Sequence, residues 1–147
     1  MTIRRRTFAE MLMGLGLSFA STTAFAEPKT VEVSMKQGTK SRFDPETVTI
    51  AAGDTVKWTN PAFVTHSVTF DPLMAAKAED VALPSGVEPF DSGSIEEDGT
   101  FSHTFTVKGT YKYICKFHEA MGMVGTLIVN RISRFWPGLR LLGIGIN

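Results

Sequence analysis

The sequence is short of several features that would place it in common protein classes. It contains one cysteine in 147 residues, so an internal disulfide is excluded. Lys plus Arg and Asp plus Glu number 15 each, so the formal net charge is zero. Because nucleic-acid binding needs a clustered basic surface, no nucleic-acid partner is predicted. Internal repeats and low-complexity tracts are also absent, which excludes a repeat architecture.

The N-terminus has the three parts of a cleavable export signal. Arginines occupy positions 4–6, an apolar run covers 11–20, and residues 23–26 (TAFA) end in an A-x-A cleavage pattern. The apolar run is about half the length that a membrane-spanning helix requires, roughly 20 residues. Residues 5–8 (RRTF) resemble the core of a twin-arginine signal, and the general secretory route stays open beside it. We therefore predict that residues 1–26 are a signal peptide and that the mature protein is periplasmic.

Export makes the single cysteine informative. Removal of three arginines and Glu10 with the leader leaves 12 basic and 14 acidic residues (15 − 3 and 15 − 1), so the mature chain carries about −2. An unprotected thiol is a liability in an oxidising compartment. The sequence therefore predicts that Cys115 is occupied or shielded.

Residues 27–130 have the pattern of an all-β domain. Short segments alternate apolar and polar residues, as in Val31, Val33 and Met35, and Gly and Pro separate them. This spacing favours a β-sandwich or barrel. One short helix is predicted over Asp71 to Glu79, where helix formers follow a proline. Residues 131–147 form a basic, apolar tail that the domain does not need; it could contact an anionic membrane surface weakly or remain an unpacked extension.

The chemistry is concentrated in one segment. Cys115, His118 and Met123 fall within nine residues, and His66 opens a segment that could lie beside them. Two imidazoles, a thiolate and a weak axial thioether are the ligands of a type 1 blue-copper site. The soft sulfur ligands favour Cu(I) and the imidazoles also suit Cu(II), so both oxidation states are accommodated. We predict one copper ion held by these four residues.

Ordered motifs from about Phe43 to Val129 make the sequence resemble the plastocyanin, pseudoazurin and amicyanin group of cupredoxins. They are Phe43-x-Pro45, Gly53-Asp54-Thr55-Val56-x-Trp58-x-Asn60, His66-Ser67-Val68, Phe90-Asp91-Ser92-Gly93, Gly109-Thr110-Tyr111-x-Tyr113-x-Cys115 and Met123-x-Gly125. The resemblance implies an eight-stranded Greek-key β-sandwich with copper at one end. It also implies that the backbone N–H of Ser67 donates to the Cys115 sulfur. Thr65 and Phe117 stand where many relatives have proline.

Two positions need a choice between alternatives. Met121 has the short spacing from His118 that amicyanin-like loops use, whereas Met123 has the longer spacing of plastocyanin and pseudoazurin. Because the ligand methionine in both loop types is followed by x-Gly and a strand, Met123-Val124-Gly125 is favoured as the axial ligand. His103 has no second ligand near it in sequence, so a packed or edge-exposed histidine is expected there.

The predicted function is one-electron transfer by a monomeric, non-enzymatic copper protein between redox partner proteins. His118, beside Phe117 and Met121, would be the electron port. The acidic run of residues 96–98 could be a docking patch for a basic partner, although a solvated turn is the more ordinary interpretation. A periplasmic copper chaperone or storage module is the alternative, and a multi-copper enzyme is disfavoured because only His103 remains as a further histidine ligand.

Overall fold

The computed structural model describes residues 27–131, which form two β-sheets around one core. The predicted signal peptide and, from residue 132 onward, the predicted tail lie outside the described residues. Within 27–131, no helix is long and apolar enough to span a membrane.

Seven strands build the two sheets. They are β1 (Thr30–Lys36), β2 (Arg42–Asp44), β3 (Thr47–Ala51), β4 (Thr55–Thr59), β5 (Thr100–Thr104), β6 (Gly109–Ile114) and β7 (Val124–Asn130). One sheet has the order β2-β1-β4-β5 and the other β3-β7-β6. Strands β1 and β4 pair in parallel, as do β3 and β7, while the other neighbours are antiparallel. The all-β sandwich predicted from the sequence is confirmed.

An aromatic core joins the two sheets and supports the end of β6. Trp58 on β4 and Tyr113 on β6 are buried, and the Trp58 indole N–H donates to the Tyr113 hydroxyl at 3.1 Å. The Tyr113 ring lies against Gly125 on β7, where a β-carbon would fall 2.3 Å from Tyr113 Cζ. This contact gives a physical reason for glycine in the Met-x-Gly motif, since any side chain would displace the ring.

The segment predicted as a strand from His66 forms isolated bridges instead of a continuous ladder. His66 bridges Ile95, and Thr69 bridges Asp91 and Ile114. Two consecutive backbone N–H groups of the segment donate to side chains, Ser67 to Cys115 Sγ and Val68 to Ser92 Oγ. Those donors cannot take part in a ladder, so the sandwich has seven continuous strands and a bridged eighth segment.

The segment predicted as one short helix contains two 3-10 turns, Pro72–Met74 and Ala78–Asp80. Between them Ala75 is extended, with φ −88° and ψ 141°. The next two backbone N–H groups, of Ala76 and Lys77, donate to the carboxylate of Glu119 at 2.7 and 2.9 Å. In a continuous helix these two N–H groups would donate to carbonyl groups of the preceding turn. Because they donate to Glu119 instead, the predicted helix is interrupted between the two turns.

Candidate metal centre

The bridged segment holds His66 rigidly inside one end of the sandwich. Its backbone N–H donates to the Ile95 carbonyl at 3.0 Å and its carbonyl accepts from the Ile95 N–H at 2.8 Å. The residue is fully buried. Its ring Nδ1 lies 3.6 Å from Cys115 Sγ, so the two predicted ligands meet although 49 residues separate them.

Cys115 directly follows β6, at the point where the chain leaves the sheet for the loop that returns as β7. It is fully buried and its backbone N–H donates to the Met123 carbonyl at 3.1 Å. The backbone N–H of Ser67 donates to the sulfur at 3.3 Å, which confirms the bond implied by the family resemblance. A backbone donor directed at the sulfur is a typical partner of a metal-binding residue, because such bonds orient the ligand.

His118 completes a three-residue cluster from the loop. Its backbone N–H donates to the Cys115 carbonyl at 2.9 Å, which turns the chain back toward the sulfur. Its Nδ1 lies 3.4 Å from Cys115 Sγ, and its ring centroid is 4.7 Å from that of His66. The ligand atoms of His66, Cys115 and His118 all lie within 4.8 Å of one another. Among residues 27–131 this is the one grouping of three or more such side chains compact enough to hold a metal ion.

Burial sets the charge state of the two imidazoles. It lowers the pKa of His66 to about 4, with a smaller contribution from the nearby His118, and it also lowers the pKa of His118. Both rings are therefore neutral at pH 7, and a neutral ring nitrogen is the form that binds a metal. Two neutral imidazoles facing one thiolate fit a copper ion well.

The structure separates the two candidate axial methionines. Met123 is fully buried in the core cluster at the end of the loop, whereas Met121 is 47% exposed. The backbone N–H groups of both donate to the His118 carbonyl, at 3.0 Å for Met121 and 3.2 Å for Met123. Burial beneath the loop favours Met123, whose ligand role stays a prediction.

His103 is placed by aromatic packing on β5. Its ring stacks on Phe90 with centroids 4.1 Å apart and planes inclined by 16°, and it meets Phe105 at 4.7 Å. Burial lowers its pKa, so the ring is neutral at pH 7. It does not belong to the cluster of converging ligand atoms, in agreement with the packed histidine expected from the sequence.

A polar network beside Cys115 was not foreseen from the sequence. The backbone N–H of Lys116 donates to Ser67 Oγ at 3.0 Å, and the Lys116 ammonium pairs with Asp91 at 2.6 Å. The Asp91 carboxylate also accepts from Thr69 Oγ1 at 2.7 Å, and Thr69 Oγ1 lies 3.0 Å from Ser67 Oγ. The network ties the loop to the segment that carries His66. Most of its bonds join residues 22 to 49 positions apart, so sequence spacing gives no signal for it.

Glu119 is a further residue whose role the sequence analysis did not predict. It directly follows His118, is only 8% exposed, and accepts the two backbone hydrogen bonds described above. The sequence does show a glutamate directly after a predicted metal ligand, and that position is the one signal that could have pointed to it. Its partners could not be predicted in this way, because they are backbone groups 42 and 43 residues away.

Comparisons with known proteins agree with this geometry. Residues 29–130 match the family of copper binding proteins described as plastocyanin/azurin. The chain is 38% identical over 94 residues to the chloroplastic plastocyanin of Tetradesmus obliquus, covering 59% of this chain and 57% of that protein. It is also 38% identical over 94 residues to the plastocyanin of Vicia faba, covering 60% and 87%. Among solved structures it is similar to the reduced Cu(I) form of a mutant of amicyanin, with TM-score 0.54, 27% identity and coverage of 69% and 82%.

Proposed function

The chain belongs to the plastocyanin/azurin family of copper binding proteins, and from that premise we propose that it carries single electrons between redox partner proteins. The ligands proposed for its one copper ion are His66, Cys115, His118 and Met123. The observation that supports this most strongly is the convergence of two neutral imidazoles on one buried thiol within 4.8 Å. When bound, copper supplies a one-electron couple between Cu(I) and Cu(II).

The protein's part is to keep the ligands in place while the charge changes. His66 is fixed by two backbone bonds to Ile95, and the Cys115 sulfur accepts from the Ser67 N–H. Ligands held by the scaffold move little on oxidation or reduction, which keeps the energetic cost of electron transfer low. Ligands in fixed positions therefore suit an electron carrier better than a chaperone, whose metal site must open to release the ion.

The loop side of the centre is the proposed point of electron exchange. His118 is only partly buried, and its loop neighbours Phe117 and Met121 are each 47% exposed. A small apolar contact permits transient docking and quick release. The acidic turn of residues 96–98 is a second candidate contact for a basic partner: Glu96 accepts from the Thr65 hydroxyl, while Glu97 and Asp98 are exposed. Complementary charge there would raise the encounter rate.

Burial also argues against the copper chaperone or storage alternative. A chaperone has to pass its ion directly to another protein, whereas His66 and Cys115 are fully buried. We propose no catalytic role. We also propose that residues 1–26 direct export to the periplasm and that 131–147 lie outside the fold; N-terminal sequencing of the exported protein tests the first of these boundaries.

Voltammetry of the copper-loaded mature chain, combined with metal analysis of both oxidation states, tests the proposal. A carrier should give a reversible one-electron wave and keep about one copper per chain in both states. It should also exchange electrons with a small redox protein faster than Phe117→Glu, which places a charge on the proposed contact. Loss of copper on either oxidation or reduction would favour the chaperone alternative and contradict the carrier.

A further inference from the structure

Glu119 is a buried carboxylate satisfied entirely by backbone donors. Its Oε2 accepts from the Ala76 N–H at 2.7 Å and its Oε1 from the Lys77 N–H at 2.9 Å. Within residues 27–131 no lysine or arginine pairs with it. Because burying an ionised carboxylate is costly unless it is hydrogen-bonded, these two bonds are what make the position tolerable. They join the ligand loop to a segment about 40 residues earlier in the chain.

The segment on the other side of these bonds is anchored at its far end. The ammonium group of Lys112 on β6 donates to the Glu79 carbonyl at 2.5 Å, and its nitrogen lies 3.7 Å from the Asp80 carboxylate. The backbone groups of Ala82 and Lys112 also exchange hydrogen bonds at 3.0 and 3.1 Å. Residues 76–82 are thus held to β6 at one end and to Glu119 at the other. Glu119 is therefore attached to a support that is itself fixed to the sheet.

Lys116 ties the start of the loop to Ser67 and Asp91, but from His118 to Met123 the loop otherwise makes only short-range bonds. The His118 carbonyl accepts from Met121 and Met123, and Gly122 donates to the Glu119 carbonyl at 2.8 Å. Phe117, which precedes His118, leaves φ free, whereas a proline there would fix it. The Glu119 side chain binds the anchored segment at Ala76 and Lys77, and so supplies a long-range restraint directly after His118, where the loop otherwise has none.

We propose that Glu119 is a positioning residue, which fixes the His118 imidazole relative to Cys115 by clamping the ligand loop to the backbone of Ala76 and Lys77. This inference rests on the proposed copper function for its effect on the metal. The clamp itself is a property of the protein chain and can be measured without metal.

The test compares wild type with Glu119→Ala, Glu119→Gln and Glu88→Ala. Glu88 is an exposed carboxylate outside the ligand loop and outside the acidic turn of residues 96–98, so its removal is a charge-matched control. In the metal-free chain, NMR should detect proximity between the His118 ring and Cys115 in wild type and in Glu88→Ala, and lose it in Glu119→Ala. Amide exchange at Ala76 and Lys77 should accelerate about tenfold or more in Glu119→Ala, as expected for loss of a hydrogen bond to a charged acceptor.

Glu119→Gln keeps one carbonyl acceptor, so it should protect one of the two amides and restore part of the His118 signal; it also carries the test if Glu119→Ala does not fold. In the copper-loaded chain, Glu119→Ala should change the Cu(II) spectrum and the reduction potential by more than Glu88→Ala does. Unchanged amide exchange would overturn the clamp. Faster exchange with an unmoved His118 ring and an unchanged spectrum would reduce Glu119 to a purely structural role and overturn the positioning proposal. If wild type forms no blue-copper site, the proposed function fails, and the metal-free measurements still decide the clamp.

Discussion

Two regions supply the proposed metal ligands, and they are stabilised in different ways. The His66 segment, residues 66–69, is fully buried and forms backbone bridges to Ile95, Asp91 and Ile114 on neighbouring segments. The ligand loop, residues 115–123, combines short-range backbone bonds within itself with side-chain bonds to distant segments, and it exposes nearly half of Phe117 and Met121. One histidine is therefore placed by the sheet scaffold and the other by the loop.

This difference suits the proposed function of an electron carrier. The fully buried His66 fixes one side of the site, while the partly exposed His118 brings the site to the surface, where we propose that a partner docks. The two regions are joined by the Ser67 N–H on the sulfur and by the bond from Lys116 to Ser67. Substitutions on either side should therefore have distinguishable effects.

The largest contrast is expected between His66→Gly and His118→Gly. Each should lose the blue-copper spectrum, because each removes one of the two imidazoles. Added imidazole should restore the spectrum of His118→Gly, since that ring is partly exposed and its place can be reached from solvent. It should not restore that of His66→Gly, whose cavity is closed by the core. Visible titration with imidazole measures both, and equal rescue of the two variants would break the distinction.

The axial position sharpens the comparison within the loop. Met123→Gln should keep copper but lower the reduction potential and alter the spectrum, because the soft thioether is replaced by a harder oxygen ligand. Met121→Gln, at an exposed position, should change the spectrum much less. Its main expected effect is slower electron exchange with the partner protein. Electron paramagnetic resonance and voltammetry of both variants provide the check. The reverse result would make Met121 the ligand.

Gly125→Ala tests whether the core beneath the loop supports the site. The added β-carbon would overlap the Tyr113 ring, so we expect a loss of about 1–3 kcal/mol in the free energy of unfolding. Gly38→Ala is the matched control: its nearest atom would be 3.8 Å away, so it should be near neutral or slightly stabilising. Denaturant unfolding of both metal-free variants measures this. An equal free energy of unfolding for the two variants would show that the Tyr113 ring moves aside without an energetic cost.

The smallest expected effect concerns the network that ties the two regions together. Burial raises the pKa of Asp91, but hydrogen bonds from Lys116, Thr69 and Gly93 outweigh it and hold the pKa below its ordinary 3.8. Asp91→Asn should therefore cost about 1–2 kcal/mol of unfolding free energy at pH 7. A depressed carboxyl pKa contributes stability above the ordinary value and loses it as the pH falls through the folded-state value. The difference between wild type and Asp91→Asn should thus shrink below about pH 4, and a constant difference would contradict the assignment.

Much of the fold and site could be predicted from the sequence because the relevant signals are local or chemically specific. Alternating apolar residues predicted β1 through Val31, Val33 and Met35, and the Cys-x-x-His-x4-Met spacing placed three ligand candidates on one loop. The approach of Cys115 and His118 follows from short sequence separation. The choice of His66 as their partner depended on chemistry. A type 1 copper site needs a second imidazole, and His66 and His103 are the two other histidines in the sequence.

The features that escaped prediction all depend on long-range hydrogen bonds. The helix expected over Asp71 to Glu79 breaks because Glu119 accepts the donors of Ala76 and Lys77. The strand expected from His66 lacks a continuous ladder because Ser67 and Val68 donate to side chains. Neither partner is visible in a local pattern, so propensity favoured regular structure in both places.

The central claim is that one copper ion is bound as a type 1 centre by the thiolate of Cys115 together with His66 and His118. The most direct measurement is the visible and electron paramagnetic resonance spectrum of the mature chain with one equivalent of Cu(II), beside Cys115→Ala. Wild type should show an intense thiolate-to-copper charge-transfer band and a narrow copper hyperfine splitting, and the variant should show neither. A colourless wild-type complex, or a band that survives in Cys115→Ala, would contradict the account.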